Sequence, residues 1–464
     1  MRSAPENGRR GAGKAACNAI FCLLCVCIFG QAAEFQVTDY GAKGDGQTLN
    51  TKYIQDAIDA AARVHGTVVF KPGLYLTGAL FLKSGVQFRV DEGVTIRAVA
   101  NTADYPEMPT RVAGINMVWP AALINVYEQS NVRIFGRGVI DGNGKYWWDQ
   151  YWALRKEYTP KGLRWASDYD AKRVRLIQIY KSSGVELRDL TLERSGFWTV
   201  HLCYSHDLRV DGITIRNNIG GRGPSTDGVD VDSSSHVVIE RCDIENNDDA
   251  ICMKAGRDAD GLRVNMPTEY VTIRDCTVRV SAAGFTIGSE TSGGIHHIDV
   301  SGLHVLSGVP RGILFKSART RGGTVDQIQI RNVRLEGVAV PVSIQLNWNP
   351  QYSYATIPSG MTQVPEYWRI LAEPVPLEKG LPHLRNVQIL HLLSTQARRA
   401  FDVGGYPSDP IRDFRFDHVQ IDAQTAGTIA DASDWVFRHT EIRTADGSHI
   451  KLMDCHNIIG IKEQ

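Results

Sequence analysis

The sequence has no surplus of either charge. Its 464 residues carry 51 lysines and arginines against 51 aspartates and glutamates, so it lacks the excess of cations that binding to a phosphate backbone or an anionic membrane requires. A nucleic-acid partner is not expected. Cysteine is scarce: beyond residue 32 there are only Cys203, Cys242, Cys252, Cys276 and Cys455, with no C-x-x-C pair. Five thiols so spaced are neither a disulfide framework nor a zinc site. Long apolar runs are also missing. The one candidate, Ala19 to Phe29, is too short to span a bilayer. Preceded by Arg2, Arg9, Arg10 and Lys14 and followed by Gly30-Gln31-Ala32, it reads as a secretory signal cleaved near Ala32. A lipid anchor on Cys25 or Cys27 is disfavoured, because the large residues Leu24 and Val26 stand where a small one is needed. The chain is therefore expected to be secreted or periplasmic, with no membrane segment after cleavage and 47 basic against 50 acidic residues.

Glycine is what the chain has in excess. Its 44 glycines are too many for a helical bundle and lack the strict period of collagen, which points to a turn-rich β protein. Length alone suggests about three domains at roughly 150 residues each, but an internal repeat overrides that count. The pattern apolar-x-apolar-x-x-apolar-x-apolar begins at Val185, Leu208, Val237, Val271, Ile298, Ile328, Val387 and Phe414. The sixth positions run Leu190, Ile213, Cys242, Cys276, Leu303, Val333, Leu392 and Val419, and only Ser394 breaks the eighth column.

Period-two alternation, a one-residue break and renewed alternation describe two short strands meeting at a corner, with one face inward on both. Such a unit buries its apolar face only by stacking on the next, which predicts an all-β fold: a right-handed parallel β-helix. An antiparallel sandwich would alternate as well but would not hold fixed columns. The whole of 33–464 is then one solenoid domain of about ten coils, with a cap and first coils over roughly 33–110. Asn50 or Thr51 can cap a helix reaching about Val64, its face of Ile54, Ala57, Ile58 and Ala61 covering the open end. Two long non-repeating loops, about 144–175 and 345–383, are rich in Trp, Tyr and Pro. Such loops beside a rigid stack are where binding residues concentrate.

The third strand of each coil aligns Gly228-Val229-Asp230-Val231-Asp232, Ala250-Ile251-Cys252-Met253-Lys254, Gly284-Phe285-Thr286-Ile287-Gly288 and Gly312-Ile313-Leu314-Phe315-Lys316. With Val, Ile, Met and Phe inward, the intervening residues should face solvent. The residues just before these segments, Asp227, Asp249, Ala283 and Arg311, then form a ladder about 4.8 Å apart. Asp248 stands beside Asp249, and Asp230 and Asp232 follow Asp227. A single aspartate here reads best as a turn cap. Five together repel one another, raise at least one pKa and so supply a proton donor and an acceptor near neutral pH.

These residues resemble glycoside hydrolase family 28, the polygalacturonase family. Thr226-Asp227-Gly228 and Asn247-Asp248-Asp249-Ala250 are similar to two of its acidic signatures, and Gly312 to Lys316 to its Arg-Ile-Lys region. Further similarity lies in Phe197 to His201, Ile287 to Gly294, Arg321-Gly322-Gly323, and Asp39 to Gly46. The resemblance implies inverting hydrolysis of galacturonosyl bonds in the pectin backbone without a metal; no cofactor is expected, and the chain is expected to be a monomer acting on a pectic polysaccharide. It makes Asp249 the general acid and Asp227 with Asp248 the groups that activate water, an inverting pair being expected about 6.5–9.5 Å apart. Three positions depart from the pattern: Ser225 for Asn, Ala283 for the His of Gly-His-Gly, and Leu314 for the Arg of Arg-Ile-Lys. A uronate is held best by an Arg fork, so the substrate-binding set becomes Lys316, Lys254, Asp230, His201 in the sugar groove, and Arg311 as replacement cation. Trp147, Trp148, Trp348, Tyr352 and Tyr354 are candidates to stack on sugar rings. Alternatives within the family are a rhamnogalacturonan hydrolase and an exo-acting galacturonidase; outside it, a Ca²⁺-dependent pectate lyase or a non-catalytic carbohydrate-binding β-helix.

Overall fold

The computed structural model describes residues 33–461; the expected signal segment lies outside them. Nearly all strands join one 34-stranded sheet paired in parallel, strand to next coil, and the fold is a right-handed parallel β-helix. The repeat columns read from the sequence are the hydrogen-bonding register. Val185, Leu208, Val237, Val271, Ile298, Ile328, Val387 and Phe414 are partners in succession. Even the widest interval, Ile328 to Val387, joins neighbouring coils, because the intervening loop leaves the stack and returns. All the sixth-position residues are buried, including Cys242 and Cys276, which are free thiols. Ser394 is buried as well.

The one-residue break in the repeat has a backbone cause. The residue before each sixth position lies in the left-handed region, as at Asp189, Arg241, Asp275, Asn332, His391 and His418. A single such residue turns a strand through a corner without a long loop, at a steric cost that Gly and Asn bear most easily. The residue before each first position, for example His236, Tyr270, His297 and Asn386, does the same at a second corner.

The capping helix spans Thr51–Ala62 and buries Ile54, Ala57, Ile58 and Ala61, as its periodicity requires. Its cap differs from expectation. Asn50 turns its side chain away from the helix, accepting from the Lys43 amide at 2.7 Å and donating to the carbonyls of Lys43 and Thr48, so it ties down the preceding loop.

The long loops are ordered. The first contains the helix Lys145–Tyr158 and the second three short helices, Pro350–Ser353, Glu366–Leu371 and Leu377–Gly380. Together with an antiparallel hairpin, Glu107–Val112 paired with Ile115–Pro120, they build a second apolar core. Val112, Ile115, Trp119, Trp165, Tyr169, Trp198, Trp368 and Leu371 pack in it. Neither the hairpin nor the helices of the two loops has a sequence expectation; the hairpin interrupts the chain where only coils are read. This lobe packs on the third face of the solenoid, where Arg111 of the hairpin pairs with Asp232, and the residues expected to face solvent there do not. Asp230, Asp232, Cys252, Thr286 and Leu314 are all buried.

Candidate active site

The ladder of the third face is formed as the register requires. Asp249 pairs with Ala283 and Ala283 with Arg311, while Val229 against Ile251 carries the alignment back to Asp227 and Asp249. The next column is made of small residues for a steric reason. A Cβ on Gly228 would lie 2.3 Å from the Ala250 carbonyl oxygen, and one on Gly284 would lie 2.6 Å from Val305. Both Asp248 and Asp249 reach the same cavity because the strand begins only at Asp249. The bend just before it is pinned by Asn246, which donates to the Asp249 carbonyl at 2.8 Å, and by the Asp249 amide, which donates to the Asp248 carboxylate at 3.0 Å.

A cavity of about 510 Å³ opens over these residues, and Asp227, Asp248, Asp249, Lys254, Glu290, Arg311 and Lys316 line it. Lys316 Nζ donates to Asp249 Oδ2 at 2.7 Å. Lys254 Nζ sits 3.3 Å from Asp227, 3.4 Å from Asp230 and 3.6 Å from Glu290. Asp227, Asp230, Asp248 and Asp249 thus share two ammonium groups in a buried place, so not all four can be ionised. Burial and the neighbouring charges of Asp230 and Asp249 push Asp227 far above the ordinary range. Burial, then Asp227 and Asp249, push Asp248 up to about 8, and burial foremost lifts Asp230 to about 7. Asp249 goes the other way: burial opposes its charge, but Lys316 and Lys254 together outweigh it. Glu290 is lowered to about 2, its burial outweighed by Lys254 and three further cations. Protonated and ionised carboxyls therefore stand side by side, which is the equipment of acid–base chemistry.

Asp227 and Asp249 each bring one carboxylate oxygen within 4.8 Å of the other. Their strands are hydrogen-bonded neighbours, so the inter-strand spacing governs the distance.

Other residues fall differently from the sequence reading. His201 is fully buried and presents no surface to the cavity. It lies 4.8 Å, edge to face, from Trp198 and 3.4 Å from Asp232, and burial lowers it to about 4. Asp230 is likewise fully buried, with Lys254 Nζ 3.4 Å from its carboxylate. Arg311 lines the cavity with its guanidinium 5.2 Å from the centre of the Trp348 ring, and Lys316 Nζ is 5.0 Å from the same ring. Trp348 and Tyr352 reach the cavity; Trp147 and Trp148 are buried as scaffold, and Tyr354 hydrogen-bonds Asn347 within its own loop. Sequence reasoning missed Glu290, Asp168, Arg155, Arg164 and Arg222, all of them cavity-lining. Glu290 was readable in part, since it lies in the conspicuous run Ile287 to Gly294. The loop arginines carried no register signal.

A solenoid face with a buried carboxylate cluster under a cation-lined cavity defines a hydrolase equipped for an acidic ligand. The chain belongs to the glycosyl hydrolases family 28, whose model matches residues 75–364. Residues 35–102 also match the rhamnogalacturonase A/epimerase, pectate lyase-like model. A probable polygalacturonase of Vitis vinifera is 27% identical over 84% of this chain and 74% of the relative. An exo-poly-alpha-D-galacturonosidase of Dickeya chrysanthemi is 26% identical over 87% of this chain and 70% of that protein. The family 28 exopolygalacturonase structure of Yersinia enterocolitica superposes with a TM-score of 0.75 and 21% identity, over 93% of this chain and 79% of that one.

Proposed function

We propose that this protein is a secreted glycosidase that hydrolyses galacturonosyl linkages of the pectin backbone. The observation that carries the proposal is the convergence of Asp227, Asp248 and Asp249 on one cavity whose rim holds Arg311, Arg155 and Arg222. A polyuronate is the polymer that such a rim suits. Asp249 protonates the leaving oxygen, and Asp227 with Asp248 takes the proton of the attacking water. In the resting site Lys316 holds Asp249 ionised and the protons reside with Asp227 and Asp248. A uronate carboxylate entering beside Arg311 draws Lys316 off Asp249, and a shared proton passes to Asp249. In a coupled cluster such a transfer needs only a small change of field. Lys254 keeps Asp227 and Asp230 in place throughout.

Inversion is the reading the family supports, and Asp248, at the same cavity, offers the attacking water a position beside the pair. The lobe supports an exo mode: Ala113, Arg164, Asp168 and Tyr352 wall the cavity, and a walled cavity receives chain ends better than chain middles. The leader-like composition of residues 1–32 supports secretion.

Homogalacturonan and rhamnogalacturonan, each incubated with the wild type and with Asp249→Asn, test the whole reading. Released monogalacturonate from the first time points, with inverted anomeric configuration by NMR, is expected from homogalacturonan and from wild type only. Unsaturated products would overturn hydrolysis. Retained configuration would replace inversion by double displacement, and long oligomers at early times would refute the exo mode.

A further inference from the structure

The corner before the sixth repeat position carries histidine on three successive coils, His391, His418 and His439, each with a left-handed backbone. Their rings stack at the coil spacing, 4.9 Å between the first two and 4.6 Å between the last two. These rings lie outside the core: the His418 and His439 side chains are 54% and 68% exposed. Both point Nδ1 at one oxygen of Asp417, at 2.9 and 2.8 Å. The three potential ligand atoms lie within 4.8 Å of one another. In a tetrahedral site with metal–ligand bonds of about 2.0–2.2 Å, neighbouring ligand atoms are roughly 3.3 Å apart. Each ring nitrogen has to draw back from the Asp417 oxygen by about half an ångström for an ion to enter between them, and exposed side chains on a rigid corner can do so.

We propose that Asp417, His418 and His439 form a surface site for a borderline divalent metal of the Zn²⁺ type, remote in the fold from the carboxylate cavity and independent of its chemistry. Two imidazoles and one carboxylate select Zn²⁺, Co²⁺ or Ni²⁺ over Ca²⁺ and Mg²⁺, which demand more oxygen donors. The ion fills the remaining positions with water. Because His418 belongs to the strand Ile411–Ala430 and His439 to the following coil, beside Arg438, the bound metal ties two of the last coils together. Terminal coils of a solenoid have a neighbour on one side only and open first.

Tag-free protein, stripped with EDTA and dialysed, is titrated with ZnCl₂ by calorimetry and with Co²⁺ by visible absorption. The expected result is one site per chain, a melting temperature that rises with Zn²⁺ concentration, and no comparable response to Ca²⁺. His418→Asn and His439→Asn should each weaken binding by at least about tenfold, and Asn keeps the left-handed corner unstrained, so the fold is preserved. His236→Asn, at the other corner, should bind normally. Full-strength binding in the His418/His439 double variant, equal response to Ca²⁺, or absence of binding at millimolar Zn²⁺ would each overturn the proposal.

Discussion

Asp249 and Asp248 are sequence neighbours with opposite protonation tendencies, and the cause is which cation each can reach. Lys316 sits on Asp249, while Asp248 is surrounded by burial and like charge. Asp249→Asn should cut kcat by about 10²–10⁴-fold, the range of a lost general acid, with an unchanged circular dichroism spectrum. The pH dependence of stability follows from the same shifts. Asp248 and Asp230 bind protons more tightly in the fold than their ordinary value of 3.8, so their charge opposes folding progressively from about pH 4 to pH 8. Asp248→Asn should therefore be more stable than wild type at pH 8, by on the order of 1 kcal/mol or more. The gain should shrink toward zero near pH 4, read by urea unfolding at both. Asp232 and Glu290, both lowered to about 2, act oppositely: their stabilisation is present above about pH 4 and is lost as pH falls toward 2. Arg311 stands over Trp348 with no carboxylate of the described residues paired to it. Arg311→Ala should raise KM for oligogalacturonides by about tenfold, as expected for the loss of about 1.4 kcal/mol of a charged contact. An unchanged KM would remove Arg311 from substrate binding.

At the scale of elements, the lobe is held by two kinds of contact. Trp368 packs against Trp165 with ring centres 4.8 Å apart and donates its indole N–H to Asp170 at 3.0 Å. Arg111 of the hairpin makes a fully buried ion pair with Asp232 at 2.8 Å, joining lobe to solenoid. Removing one partner of a buried pair leaves a charge stranded, at a cost of about 3–5 kcal/mol. Arg111→Met should therefore lower stability by about that amount and shift the products from monomers toward oligomers as the wall loosens. A destabilised variant that still releases only monomers would show that the hairpin does not set the mode of attack. The corners behave otherwise. Their geometry is local, and it is legible in the one-residue break of the repeat.

For the whole molecule, elongated stacking means that each coil answers only to its neighbours, and insertions such as 345–383 are accommodated without loss of register. The two apolar cores divide the work: one is the scaffold, the other shapes access to the carboxylates. Turnover of homogalacturonan should persist after exhaustive EDTA dialysis, with reducing ends and no unsaturated uronate among the products. Loss of activity restored by Ca²⁺ would argue for a lyase instead.

The sequence by itself determined the coil, because inward positions in a solenoid recur at fixed offsets and each column of Val, Ile and Leu is its own signature. It also brought Asp227, Asp248 and Asp249 together, since stacking converts a shared register into proximity. It misjudged what lies over that face. Asp230 and His201 are covered, and Glu290 and the loop arginines are at the cavity. Those outcomes depend on the hairpin 107–120 and two loops packing on one another. Contacts between a non-repeating segment and a coil more than 100 residues away, such as Arg111 with Asp232, leave no periodic trace in the chain. Only the folded packing could decide which carboxylates lose their water, and with it which keep their protons.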